Sequence, residues 1–223
     1  MSRRRTEVDI SGIAYEQFIL FIFDRPLPEG KIGEPDRHHW YYDLDVAYEP
    51  AEIAAHYIQL FTNPESLRTR FSQDHLEEGF WAIQGPNLEC SVFFLIWVEE
   101  LPVETRASVV RSMFHLFQKL FFDWPLGTAP HMWWDSLCYE WHCGNRDRAR
   151  GGEDRAMQDV IFETLARILA LDSSNCQRAA LHGLGHLHHP DTSKLINEYL
   201  QKNSSISAEL REYALAAAEF RVL

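Results

Sequence analysis

Arg178-Ala179-Ala180-Leu181-His182-Gly183-Leu184-Gly185-His186-Leu187-His188-His189-Pro190 is the stretch that decides the fold. It places small residues where two helices must approach closely, and Pro190, which lacks a backbone N–H, ends the helix. A second small-residue face follows at Ala214 to Ala218. Between and after these, residues 176–223 read as short helical hairpins whose apolar spacing leaves one face to be covered by a neighbour. That is the signature of stacked helices, in which both sides of an element are packed.

Outward from this segment, almost every interval between glycine and proline breakers carries the i, i+3, i+4, i+7 apolar pattern of an amphipathic helix. Helices are predicted over residues 13–23; from Pro50, with Ile53, Tyr57, Leu60 and Phe61 inward; and after Asn63-Pro64-Glu65. Further helices are predicted from Ser72 to Ile83, over 88–101, and from Pro102 to about Phe122, the last with Arg106 on its polar face. Residues 131–143, 153–169, 175–187, 192–202 and 208–220 complete the set, with Ser207 as a cap. Residues 26–47 form the longest irregular stretch, closed by Trp40, Tyr41 and Tyr42, and strands have little room. The expected architecture is all-α: antiparallel helical hairpins stacked as an irregular α-α superhelix. It forms one domain, in which an aromatic-rich part (1–143) and a C-terminal repeat part (153–223) are joined by the charged loop 144–152.

The C-terminal part resembles the HEAT-like repeats first recognised in phycobilisome lyases. Arg178, Ala179, Ala180, Leu184, Gly185, Leu187, Pro190, Leu195, Ile196, Tyr199 and Leu200 follow the repeat's order, and Arg211, Ala214, Leu215 and Ala218 look like the start of another copy. His188-His189 stands where the repeat usually has Gly-Asp. The resemblance implies stacked helices. It implies no single activity, because HEAT-like arrays serve as adaptors, lyases, hydroxylases and glycosylases.

Composition limits the partners. With 21 Lys and Arg against 33 Asp and Glu, the formal charge is −12, which opposes contact with phosphate backbones and favours a basic or neutral protein partner. No nucleic acid and no membrane partner are expected, since the apolar runs 18–23 and 92–98 fall well short of the ~20 residues a spanning helix needs. The four cysteines, Cys90, Cys138, Cys143 and Cys176, form no C-x-x-C pair and read as reduced and mostly buried. Met1 to Arg5 reads as the frayed start of a cytoplasmic protein.

Two constellations offer chemistry. His182 and His186 stand at i, i+4 on one helix face, the spacing of a zinc-binding pair. The segment supplies no acid or cysteine at a fixed short spacing, so the histidines read as turn, surface or inter-helix residues with no metal and no cofactor. The iron-binding HEAT hydroxylases rely on His-Glu dipeptides, of which this chain has none. The second constellation is His131, Trp134, Asp135, Cys138, Trp141 and His142 along one face of the helix at 131–143. It is similar to the base-recognition face of HEAT-like DNA glycosylases, but the acidic charge argues against duplex binding. Gly151-Gly152-Glu153-Asp154 matches the turn of diguanylate cyclases but precedes a helix, not a β-hairpin. The expected function is therefore a non-catalytic protein-binding scaffold or adaptor. The alternative is an enzyme or small-ligand-binding protein whose pocket is lined by residues 133–142, with Trp134, Asp135, Trp141 and His142 as binding candidates and no assigned catalytic residue.

Overall fold

Helices account for most of residues 5–29, 38–123 and 127–222, the parts that the computed structural model describes. In chain order they are α1 (Tyr15–Phe23), α2 (Pro50–Thr62), α3 (Leu67–Arg70), α4 (Gln73–Gln84), α5 (Val92–Leu95), α6 (Val103–Leu116), α7 (Ala129–His142), α8 (Gly152–Leu169), α9 (Ser174–Leu187), α10 (Thr192–Lys202) and α11 (Ala208–Ala218). The described residues are all-α apart from two four-residue strands, β1 (Thr6–Asp9) and β2 (Leu44–Ala47), paired in parallel from Thr6 opposite Leu44 to Asp9 opposite Ala47. The basic start at residues 1–4, and Gly30, Gly33 and Pro35 of the irregular stretch, lie outside the described residues.

The helix starts follow their caps. Ser72, Ser173 and Ser207 each accept a hydrogen bond from the N–H three residues on, opening α4, α9 and α11. Pro50 occupies the first turn of α2, where its missing N–H has no helical partner to lose. The inner stripe expected for α2, Ile53, Tyr57, Leu60 and Phe61, is completely buried.

A continuous apolar core runs from Ile10 to Val222. Trp133 lies at its centre, with the rings of Phe61, Phe80 and Phe121 edge-on around it. Loop 144–152 does not separate two bodies. Arg146 reaches Asp154 at 3.0 Å, Arg148 reaches Asp159 at 2.5 Å, and the Arg146 guanidinium lies 3.5 Å over the Trp97 ring. Its charges thus anchor the loop to α8 and to the core.

Four local expectations need correction. The strands form because Val8 and Val46 can pack inward from segments too short to show a period. Asn63 closes α2, its N–H bonding Gln59 O, and does not open a helix. Residues 88–101 supply buried Leu88, Cys90, Val92, Leu95, Ile96 and Leu101, yet only α5 is α-helical. Tight i→i+3 bonds such as Trp97 N–H to Phe94 O carry the chain on from there. Arg106 is buried, not solvated, with Glu153 at the start of α8 accepting from both terminal nitrogens of its guanidinium.

Candidate metal centre

The approach of α9 to α7 depends on Gly183. A Cβ there would lie 2.5 Å from Trp134 Cβ and 3.0 Å from a Leu165 methyl, so only glycine lets the two backbones come this close. Gly185 faces Val222 in the same way, at 2.4 Å. The close approach carries the side chains flanking Trp134 on α7 onto the histidine face of α9.

Asp135 of α7 meets His182 and His186 of α9 there, with one ligand-competent atom of each lying within 4.8 Å of the others. His182 Nε2 is 3.4 Å and His186 Nε2 is 3.3 Å from the same oxygen, Asp135 Oδ1. Neither Nε2 makes a hydrogen bond, and His186 Nδ1 makes none either, although both rings are buried. Buried polar atoms without partners are uncommon because leaving one unsatisfied costs about 1–3 kcal/mol. Donors held about 2.0–2.1 Å from one ion at tetrahedral angles stand about 3.3–3.4 Å apart. The two distances to Asp135 Oδ1 match that spacing, while the set as a whole spans up to 4.8 Å and would draw together on an ion.

The surroundings can accommodate the tautomer such ligation requires, because a tyrosine hydroxyl can accept as well as donate. His182 Nδ1 is hydrogen-bonded to Tyr213 Oη of α11 at 2.6 Å. With the Nε2 lone pair turned to an ion, Nδ1 carries the proton and donates it to the tyrosine oxygen, the outer partner that metal-bound histidines commonly have. Burial, reinforced by His182, pushes the His186 pKa down to about 4, so the ring is neutral at pH 7, as a ligand must be. His131, one turn before Asp135 and with its ring 4.8 Å from that of His182, is likewise lowered to about 4 by burial first. The Asp135 carboxyl is held below its usual range, chiefly by the polar contact with His182. One side of the cluster opens to solvent, where the Asp135 side chain is 34% exposed.

The two sequence constellations are thus halves of one site. The reading of His182 and His186 as turn, surface or inter-helix residues holds only in its last part: both are buried between helices, and the missing acid comes from a distant helix. The other binding candidates divide. Trp134 is buried, stacked on Phe117, and Trp141 packs against Trp97, so both are core residues. His142 is exposed and touches the site's edge, its ring 5.1 Å from that of His186. His189 is structural: Nε2 pairs with Asp159 at 3.0 Å and the ring stacks on Phe162 at 4.0 Å. Tyr213 was missed, and His131 was placed on this face of α7 but not among the binding candidates. The available signal was that each helix carries two ligand-type residues at i, i+4, His131/Asp135 and His182/His186.

A separate cavity of about 300 Å³ is lined by Tyr41, Tyr42, Trp81, Glu77 and Glu78 among others. Its carboxylate already has work. Glu77 Oε1 accepts from the backbone N–H groups of Thr128 and Ala129 and from Trp81 Nε1, which caps the start of α7 and so helps to place Asp135.

Comparison of the chain with protein-family models, with curated proteins and with solved structures gives no match.

Proposed function

We propose that this chain is a metal-dependent protein holding one divalent first-row transition ion between α7 and α9, on Asp135 Oδ1, His182 Nε2 and His186 Nε2. The convergence of two buried imidazole nitrogens, neither of them hydrogen-bonded, on one carboxylate oxygen carries the reading. Imidazole and carboxylate donors suit zinc, iron, manganese, cobalt and nickel, and a set of three protein ligands leaves a position for water or a small ligand. Asp135, 34% exposed, is the ligand that solvent reaches. There the ion would act as a Lewis acid, lowering the pKa of bound water or polarising a bound oxygen. This is the enzyme or ligand-binding alternative, with its pocket moved from the tryptophans to the acid between them.

We also propose that α9 to α11 belong to a HEAT-like repeat, a reading supported by the glycine contacts on α9. Among the described residues the exposed large apolar side chains Leu20, Leu27, Tyr42, Phe94, Tyr139 and Leu215 lie on separate elements.

The test is titration of the chelator-treated protein with Co²⁺, read by visible absorbance and equilibrium dialysis. One tightly held ion per chain is expected, with its affinity falling more than about 100-fold in Asp135→Asn and in His186→Gln, since changes to outer-sphere partners alone cost 10–100-fold. Failure of the wild type to retain any of the five ions, or wild-type affinity in Asp135→Asn, overturns the reading.

A further inference from the structure

Beyond the three ligands, the imidazoles continue to the surface. His186 lies 4.7 Å from His182 and 5.1 Å from His142, and His142 lies 5.0 Å from His188, all ring to ring. The inner members are buried and the outer two, His142 and His188, are exposed. His142 Nδ1 and His188 Nε2 face each other at 3.0 Å. Two nitrogens bound to one ion at about 2.0–2.1 Å, with angles between square and tetrahedral, stand about 2.9–3.4 Å apart. The outer pair is therefore spaced to take an ion in place of the proton it shares.

His188 holds this position at a conformational cost. It caps α9 in the left-handed region, at φ 54°, where glycine is the usual occupant because it has no Cβ to clash. The ring is fixed there by stacking 4.5 Å from Phe220. His142 is held from its other side by Tyr139, whose ring stacks on it at 5.0 Å and meets His186 edge-on at 5.5 Å. His186 is the link inward, since neither of its nitrogens has a hydrogen-bond partner.

We propose that His142 and His188 form a surface port that captures the divalent ion and passes it by ligand exchange through His186 to the buried site, and returns it by the same route. This inference rests on Asp135, His182 and His186 being the ligands of the resident ion. In each transfer one nitrogen–metal bond forms as another breaks, so the ion is never left without an imidazole in the low-dielectric interior, where a bare charge is expensive. A port speeds entry and exit alike and leaves the equilibrium affinity unchanged.

Stopped-flow mixing of Co²⁺ with the chelator-treated full chain gives the association rate, and transfer from the loaded chain to excess chelator gives the dissociation rate. In the His142→Gln/His188→Gln double variant both rates are expected to fall by about tenfold or more, with Kd changed by less than about threefold. Beyond the one tightly held ion, the port should give the wild type a second, weaker Co²⁺ equivalent by absorbance, and the same substitutions should abolish it. Both positions are exposed, and circular dichroism of the variant should match that of the wild type. Wild-type rates in the double variant overturn the port while leaving the buried site intact. A weakened Kd that comes only from faster dissociation also overturns it, because the two histidines would then be ligands of the resident ion. If the wild type binds no Co²⁺, or Asp135→Asn binds it normally, the port falls together with the site it serves.

Discussion

Gly183 on α9 lies so close to Trp134 on α7 that an added methyl group would sit 2.5 Å from the tryptophan Cβ. The neighbour is the root of a fully buried side chain, not the tip of a flexible one, so it has nowhere to move. Gly183→Ala would gain up to about 1 kcal/mol of helix propensity. Overpacking of a close contact costs about 1–3 kcal/mol and should win. Urea denaturation is expected to show net destabilisation, greater for Gly183→Val, accompanied by weaker Co²⁺ binding as α9 is pushed from Asp135. An alanine variant as stable as the wild type would mean that the helices do not pack this closely.

Arg106 and Glu153 should respond unequally to mutation. The arginine side chain is 1% exposed and the glutamate 46%, joined by two hydrogen bonds of 2.9 and 2.6 Å. Removing the glutamate leaves a buried guanidinium without its counter-charge, and breaking such a pair costs about 3–5 kcal/mol. Removing the arginine leaves a carboxylate that water can reach. Glu153→Gln is therefore expected to lower the urea midpoint far more than Arg106→Met, and equal losses would contradict the asymmetry.

These two relationships also mark where the sequence stops being legible. Most helix limits could be read, because Ser72, Ser207, Pro50 and Pro190 act on the backbone next to them and the apolar stripe of α2 repeats within one element. The small residues of α9 announced a close neighbour but not which one. Periodicity put Arg106 on a solvated face, since nothing nearby in sequence reveals that the first turn of α8 would cover it. The candidate site was split for the same reason. His182 and His186 lacked an acid within reach along the chain, and Asp135 looked like part of an aromatic helix until the glycine contact brought α7 and α9 together.

The metal-free protein should lose stability in acid through its buried imidazoles. His186 and His131 have folded pKa values of about 4 against an ordinary 6.5. Between those values the unfolded chain binds protons that the folded chain refuses. Their contribution is therefore complete above pH 6.5, declines as the pH falls towards 4, and is constant below it. Urea midpoints of chelator-treated protein measured from pH 7 to pH 5 should fall more steeply in the wild type than in His131→Gln/His186→Gln. Parallel profiles would show that the rings titrate normally in the folded chain.

Tyr213→Phe separates an outer-sphere role from a packing role. The ring of Tyr213 sits against α9 whether or not it carries a hydroxyl, but the 2.6 Å hydrogen bond to His182 Nδ1 is lost. Without that acceptor the proton of His182 is no longer held on Nδ1, and the neutral ring is free to place it on Nε2, where it blocks ligation. Metal affinity is expected to fall about 10–100-fold, the usual effect of removing an outer-sphere partner. The metal-free protein should lose only about 1 kcal/mol, the net worth of one hydrogen bond. Isothermal titration with Zn²⁺ and urea unfolding of the chelated protein measure the two quantities. Unchanged affinity alongside that loss of stability would show that Tyr213 only braces α9, and would leave the choice of His182 tautomer to Asp135.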